Sequence, residues 1–549
     1  MERVSRSMVV HSLGGAVSIS STRIALLAWG VLLLAGSLPA FAQQRGGTLV
    51  FTIPASDFPS MDGHQEESFA VIHPTAPQYS LLVRLDPTDP QALRLEGDVA
   101  EKWEASKDGK TYTFAIRRGV AFHDGSPLLA EDVAASFEHI IHPVPGVGSP
   151  RKSHFSMVDS VRAEGDYAVI FKLKFPTNAF VPAVAMPFNY LYQAKILKQD
   201  PHWYKTHVLG SGPFVFKSEQ RGANWIGVRN ERYFKKGLPY LDGFEGIFTP
   251  KENIEIQALR GGRSMIQFRG FSPAARDDLK AAMGDKIAVQ ESTWNCSLFI
   301  IPNSFKKPFD DVRVRRALNL AIDRWGGSQF LSKIAVAKTV GAYVFPTHPL
   351  AMTNDELAQL PGYWRDAKKS KDEARRLLKE AGVPEGFKFK LNNRNTDQPY
   401  KFVATYVIDQ WRQVGLDAEQ VVLPTSALFN VLEQDPPQYD TTVDFNCQSM
   451  INPTLDIQRF ISKDRTDGNH GHYTDRKLDQ LYDAQLREPD LTKQRLIVNE
   501  FERYLNDQAL FLTTLWQHRI TLQSSKVQGW YISPAHYLNQ QLETVWIKP

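Results

Sequence analysis

Residues 100–133, AEKWEASKDGKTYTFAIRRGVAFHDGSPLLAEDV, constrain the fold more than any other stretch of the chain. Asp108-Gly109 supplies the positive-φ positions of a tight hairpin turn, and Tyr112, Phe114 and Ile116 then place every second side chain on one face of a strand. Asp124-Gly125 makes a second turn. Ser126-Pro127 leads from it into a helix beginning near Ala130 and carrying Asp132, Val133, Phe137 and Ile140. One hairpin feeding one helix is a packing unit, and no nucleophile stands beside a base within it.

A chain of 549 residues is too long for a single hydrophobic core and predicts two or three domains. The N-terminus reads as a leader: Arg3, Arg6 and Arg23 precede the apolar run 24–34, then Ser37, Pro39 and the small-residue site Ala40-Phe41-Ala42. That run is short of the roughly 20 residues a membrane span needs, so the expectation is a signal peptide cut after Ala42. No cysteine follows to carry a lipid, which predicts a soluble exported protein of a Gram-negative periplasm. Removing the three basic residues and one acidic residue of the leader takes the formal charge from +4 to +2. So balanced a chain gives no reason to expect nucleic acid or an anionic membrane as partner.

Beyond the leader, the spacing predicts strands over 46–54, 167–175 and 418–423, with Tyr167, Val169, Phe171, Leu173 and Phe175 alternating against Ala168, Ile170, Lys172 and Lys174. Helices are expected over 254–260, over 311–322 with Asp310 and Asp311 at the N-terminus, and over 475–486 and 491–507. Ser370 with Glu373 reads as a capping box for a helix over 372–381 ended by Gly382. Tyr400, Val403, Ala404, Val407, Ile408, Trp411 and Val414 form an apolar helical stripe, which reads as packing. Residues 294–302 should cross between lobes and 510–516 should lead back. No internal repeat is visible.

Catalytic signatures are missing from the sequence. Residues 146–153, GVGSPRKS, lack the glycine before lysine of a phosphate-binding loop, and neither HExxH nor GxSxG occurs. His139 and His142 share a helix face, and His470 and His472 sit in DGNHGHY, which reads as a flexible loop; neither pair has a third ligand, so no metal and no cofactor are expected. The spacing of Cys296 and Cys447 leaves free thiols and a disulfide equally open. A bond would close a loop of about 150 residues, for which chain entropy gives at most roughly 5 kcal/mol.

The string at 100–133 closely resembles the signature of the family 5 solute-binding proteins of ABC importers, the oligopeptide, dipeptide and nickel binders, in which AxxW, DG, FxLR and FHDGxPxxAxD recur in this order. Further segments are similar to that family: LGSGPF at 209–214, GVRNERYF at 227–234, WNCSLFIIPNSFKKPFDDVRVRRALNLAIDR at 294–324 and DFNCQSMINPT at 444–454. There are departures. Gly63 stands where the family has a proline, Phe234 where it has a tryptophan, and Arg263 and Ser264 where it has an acidic element.

The resemblance implies an α/β, two-lobed periplasmic binding protein fold of type II, cluster C-like, with an extra small subdomain in the first lobe. Lobe I would comprise residues 43–82, 204–293 and 517–549, the inserted subdomain 83–203, and lobe II 294–516. It implies a monomeric, non-enzymatic receptor that captures a peptide or peptide-like solute and delivers it to ABC permease subunits with their ATPases, and a disulfide between Cys296 and Cys447. The implied cleft residues are Glu67 and Phe69 on the first lobe, Trp294 near the crossing, and Phe445, Asn446 and Ser449 on the second. Trp294 reads equally as interlobe packing. In peptide-binding relatives an aspartate two residues after the second cysteine pairs with the ligand's α-ammonium; Ser449 occupies that position. A serine cannot neutralise a buried ammonium. Asp444 and Asp456 could compensate, and a non-peptide solute such as an opine, a sugar or a metal chelate is the alternative. An exported hydrolase or a structural envelope protein would be a different class, told apart by turnover or by failure to bind any solute.

Overall fold

The computed structural model describes residues 43–55, 58, 60–66, 68–537 and 540–549, with the backbone alone at 397, 425 and 426. The leader, its expected cleavage site and Glu67 lie outside the described residues. Residues 44–549 form one compact unit.

Its centre is a pair of long antiparallel strands, Ile287–Pro302 and Leu512–Ser524, within an eleven-stranded sheet. Outward from Leu512–Ser524 the order is Ile266–Gln267, Thr48–Ile53, Gly243–Phe248, Asn224–Arg229 and Phe214–Gln220. Outward from Ile287–Pro302 it is Thr441–Cys447, Phe387–Arg394 and Leu416–Leu423. The two long strands therefore join two half-sheets. Residues 287–293 pair continuously with 524–518, the ladder is then irregular, and pairing resumes at Ser297 with Trp516 and Phe299 with Thr513. Trp294, Asn295 and Cys296 occupy the break. From Trp294 onward every residue of the strand is buried, as an apolar run covered on both faces requires.

The stretch at 100–133 folds as its turns and alternation dictate. Ala100–Ala105 and Thr111–Ile116 form a hairpin around Gly109, whose φ of 65° is the left-handed conformation the turn needs. With Ala168–Leu173 and Val158–Ala163 they make a separate four-stranded antiparallel sheet. The helix Ala130–Ile141 lays Val133, Phe137 and Ile140 on it, with the Phe137 and Phe171 rings edge to face at 5.1 Å. Ile170, expected on the open face, is itself only 7% exposed.

The helix expected from a capping box at Ser370 starts earlier. It runs Ala367–Glu380, and Asp366 is the cap, its carboxylate accepting from the Lys369 amide. Ser370 is inside the helix and donates to the Leu320 carbonyl at 2.7 Å. An S-x-x-E pattern within a running helix is indistinguishable in sequence from one at its start. The other helices begin within two residues of expectation: Val312–Ala321 under an Asp311 cap, Phe402–Arg412, Arg476–Leu486 under Asp475, and Leu491–Gln508 under Asp490. The loop of His470 and His472 is not an exposed one. Both rings are buried, His472 against the Leu432 carbonyl at 2.7 Å and His470 against Asp444 at 2.8 Å.

A buried charge network ties the C-terminal segment to distant parts of the chain. Arg84 pairs with Glu543 at 2.5 Å and with Glu96 at 2.7 Å, Lys235 with Asp98 at 2.7 Å and with Glu543 at 3.1 Å, and the Tyr233 hydroxyl donates to Glu543. Gln541 donates to Asp98 at 3.0 Å. Burial opposes the Asp98 charge, but Lys235 and Arg84 outweigh it and hold the carboxyl down to about 2. Removing one partner leaves an uncompensated buried charge, which costs roughly 3–5 kcal/mol. Glu543→Gln is therefore expected to lower the thermal midpoint at pH 7 by that loss. Because the Asp98 pKa is depressed, its contribution is complete above the ordinary carboxylate value of about 3.9 and is lost as pH falls toward 2. Urea unfolding at a series of acid pH values should show the gap between the native chain and Asp98→Asn closing over that window. Reduction is expected to act separately. Cys296 and Cys447 are direct cross-strand partners joined by a disulfide, and Cys447→Ser should cost roughly 2–4 kcal/mol in the same assay.

Candidate functional site

The break in the central ladder brings together side chains from both half-sheets. Phe69 begins the helix Phe69–Thr75, and its ring lies 4.8 Å from His73 one turn on, 4.7 Å from His536 and 4.9 Å from Tyr537. Trp294 is 6.3 Å away, stacked on His536 at 5.2 Å. The indole N–H of Trp294 is buried without an acceptor. Phe69 and Trp294, placed together by resemblance, are thus neighbours.

Two arginines stand over these rings. The Arg519 guanidinium is 5.1 Å from the Trp294 ring and 5.9 Å from that of Phe69; the Arg269 guanidinium is 5.8 Å from Phe69. Arg519 lies on the long strand Leu512–Ser524, 1% exposed, and every hydrogen bond it donates goes to a carbonyl: Arg269 at 3.0 Å, Ala535 and His536 at 3.3 Å each, and Phe268. It thereby fixes the turn that presents Arg269. Gly270 completes that turn at φ 134°, where a Cβ would stand 3.2 Å from the Ile520 carbonyl. Burial brings the Arg519 pKa down to about 9, with Arg269 adding to the effect. Burial also keeps His73 neutral, at about 3, and holds His536 well below the usual imidazole range, with Arg519 and Arg269 acting in the same direction on both.

On the second half-sheet, Phe445 lies on Thr441–Cys447 with Tyr400 at 6.2 Å and Phe429 at 6.4 Å. The Arg394 guanidinium sits 5.4 Å from the Phe445 ring and 5.0 Å from that of Tyr400, to whose hydroxyl it donates at 3.2 Å. The two sets are within electrostatic reach of one another, since Tyr400 and Arg394 both act on Arg269. Asn446 turns inward: its amide donates to the Asp456 carbonyl at 2.7 Å and accepts from Gln448 at 3.0 Å. Ser449 is 5% exposed, and its hydroxyl has no hydrogen-bond partner among the described residues.

The two acids that could have compensated for Ser449 are committed elsewhere. Asp444 is 1% exposed and bound to Arg459 at 2.7 Å and His470 at 2.8 Å; burial opposes its charge, but these partners hold it well below the usual range. Asp456 is fully buried and accepts from the Phe345 amide at 3.1 Å, and burial pushes its carboxyl up to about 8, so it keeps its proton at neutral pH. His139 and His142 diverge. His139 meets the buried His64 ring at 3.0 Å, while His142 pairs with Glu138 on the surface. Cys296, Cys447 and His536 have ligand-type atoms within 4.8 Å of one another, but the two sulfurs are joined, so the trio offers one imidazole and no thiolate.

Sequence reasoning missed Arg269, Arg519, Arg394, Tyr400, His536 and Tyr537. The one local signal was Arg519 inside the buried strand LTTLWQHRITLQS, where an arginine demands a buried partner.

Comparison with known proteins places these features in a family. Residues 94–469 match the bacterial extracellular solute-binding proteins, family 5. A relative described as probable di/tripeptide-binding protein 5 of Pseudomonas aeruginosa is 26% identical over 473 residues, covering 79% of this chain and 84% of that one. Helicobacter pylori DppA, an ABC transporter-associated periplasmic binding protein solved with the peptide STSA, superposes with a TM-score of 0.79 at 22% identity over 92% of this chain and 99% of its own. The binding protein AgaA of A. tumefaciens R10, solved with agropinic acid, gives 0.76 at 20% identity over 92% and 99%. These relatives are described as binding proteins, and the fold shared with them is the two-lobed type II fold. The chain belongs to family 5 of the bacterial extracellular solute-binding proteins.

Proposed function

We propose that this protein is the periplasmic solute receptor of an ABC importer, capturing a peptide or peptide-like solute between its two lobes and passing it to the permease without chemical turnover. The observation that carries the reading is the break at 294–296 in the two crossing strands, with an aromatic cluster around Phe69 and Trp294 on one side and one around Tyr400 and Phe445 on the other. Glu67, Phe69, Trp294, Phe445, Asn446 and Ser449 are then the residues that meet the ligand. Lobe I is residues 43–82, 204–293 and 517–549, the inserted subdomain 83–203, and lobe II 294–516. Closure turns about the crossing strands, as hinge motion in two-lobed receptors requires few residues to absorb the change. The leader directs export and is cut after Ala42, and the mature protein works as a monomer.

The loss of an acid at Ser449 favours a second reading within the same class, a solute without a free α-ammonium, such as an opine. The test is to purify the protein from its native periplasm without unfolding, release what it carries, identify that by mass spectrometry, and add it back. A true ligand at 100 times its Kd stabilises by about 2.7 kcal/mol, visible as a raised thermal midpoint. Turnover of the added solute, or no response to peptide, opine, sugar and metal-chelate libraries, would remove the receptor reading.

A further inference from the structure

Cys296, Cys447 and His536 together hold more donor capacity than the disulfide uses. One imidazole nitrogen of His536 lies within 4.8 Å of both sulfurs. His536 is 6% exposed, and its Nδ1 is buried without a hydrogen-bond partner. The ring plane is fixed by Trp294, stacked at 5.2 Å, by Phe69 at 4.7 Å and by Tyr537 at 4.2 Å. An unpaired polar atom at such depth is costly, and a missing ion is one physical explanation for it.

Main-chain bonds hold these three residues in place alongside the disulfide. Cys296 and Cys447 are direct partners in a ladder that continues without interruption to Pro302 and Thr441. Asn295, beside the first cysteine, donates from its amide to the Pro534 carbonyl at 2.8 Å, and the Gln448 amide donates to the Asn295 carbonyl at 2.9 Å. The His536 amide in turn donates to the carbonyl of Gln448, beside the second cysteine, at 3.2 Å. Opening the S–S bond breaks none of these. The Gln517 side chain also donates to Cys296 Sγ at 3.0 Å, as an outer partner that steadies a thiolate ligand does. The negative charge of two thiolates would fall near Arg519, whose guanidinium donates to the His536 carbonyl at 3.3 Å.

We propose that reduction turns this corner into a metal site, in which the Cys296 and Cys447 thiolates and the His536 imidazole bind a thiophilic d10 cation, zinc(II) or copper(I). Soft sulfur with one imidazole selects these ions over magnesium or calcium. Three protein ligands suffice for trigonal copper(I), and with zinc(II) they leave one tetrahedral position for a further donor. The reductant is a dithiol. Cys447 is half-buried whereas Cys296 is 2% exposed, so the incoming thiolate attacks Cys447 Sγ. That bond forms, the Cys296–Cys447 bond breaks, and its electron pair leaves on Cys296 Sγ, where Gln517 donates. The second thiol of the reductant then displaces Cys447 and closes the reductant's own disulfide. The metal ion takes the place of the two cysteine protons, which are released. Disulfide and metal need the same two sulfurs, so only the reduced chain offers the site.

The experiment uses the full mature chain, reduced with a phosphine that leaves no competing thiol, freed of it without air, and titrated by calorimetry with zinc(II) alone and with copper(I) alone. One equivalent of either ion is expected on the reduced chain and none on the oxidised chain or on the double variant Cys296→Ser, Cys447→Ser. X-ray absorption of the zinc form should count two sulfurs at about 2.3 Å and one imidazole nitrogen at about 2.0 Å. His536→Gln removes a ligand and should weaken binding at least as much as loss of an outer-shell partner does, about tenfold or more. If the reduced chain binds neither ion more tightly than the double variant, or if His536→Gln binds undiminished, the inference is overturned. Should the metal-free reduced chain unfold, one equivalent of zinc(II) restoring its circular dichroism supports the inference, and failure to restore it overturns it. None of these outcomes depends on solute binding, so the receptor reading stands or falls separately.

Discussion

The antiparallel pairing of Ile287–Pro302 with Leu512–Ser524 is the constraint on which the rest of the molecule depends. Among the described residues, these two strands alone run through both half-sheets. Continuous pairing along the whole length would make one stiff sheet. The irregular register at 294–296 interrupts the ladder, and a conjoined sheet bends where its hydrogen bonds are missing. The same interruption frees Trp294 to lie on His536 while Cys296 remains tied to Cys447 on the neighbouring strand. The aromatic wall follows from one local fault in pairing, while the disulfide ties the intact ladder beside it.

Charge is distributed around that fault unevenly. Acids elsewhere are spent on architecture: Glu543 and Asp98 gather Arg84 and Lys235 into a buried network that anchors the C-terminal segment, and Asp444 fixes Arg459 and His470 inside the second half-sheet. Burial keeps Asp456 and Glu255 protonated, since a lone carboxylate in an apolar surrounding costs more than its proton. Near the cleft stand Arg519, Arg269 and Arg394. Arg519 is satisfied by carbonyls, which stabilise its hydrogen bonds but not its charge, so its field persists toward Trp294 and Arg269.

Much of the scaffold was legible in the chain itself. The Asp108-Gly109 turn, the alternation through Phe114 and Ile116, and the Asp311, Asp475 and Asp490 caps are decided within a few residues, so local chemistry suffices to read them. Where a pattern admits two local solutions the reading slipped. Asp366 and Ser370 both offer caps, and the packing of Ser370 against the Leu320 carbonyl selected the first. The DGNHGHY loop looked mobile because glycine and asparagine permit it, yet His470 is anchored by Asp444, 26 residues away. Of the cleft, resemblance brought Phe69, Trp294, Phe445, Asn446 and Ser449 forward. The arginines stayed hidden because nothing near Arg269 or Arg394 in sequence distinguishes them from surface cations.

By itself, then, the sequence determined the family, the hairpin-and-helix unit at 100–133, most helix starts and the absence of an acid at Ser449, because each is carried by contiguous residues whose turn, cap or periodicity acts over a few positions. Tertiary structure decided which charges are spent and which are left. Whether Asp444 and Asp456 could replace the missing acid depended on Arg459, His470 and the depth of burial, and whether Arg269 had a partner depended on strands far apart in the chain. Electrostatic balance is a property of distances and desolvation in three dimensions, and neither is written in the order of the residues.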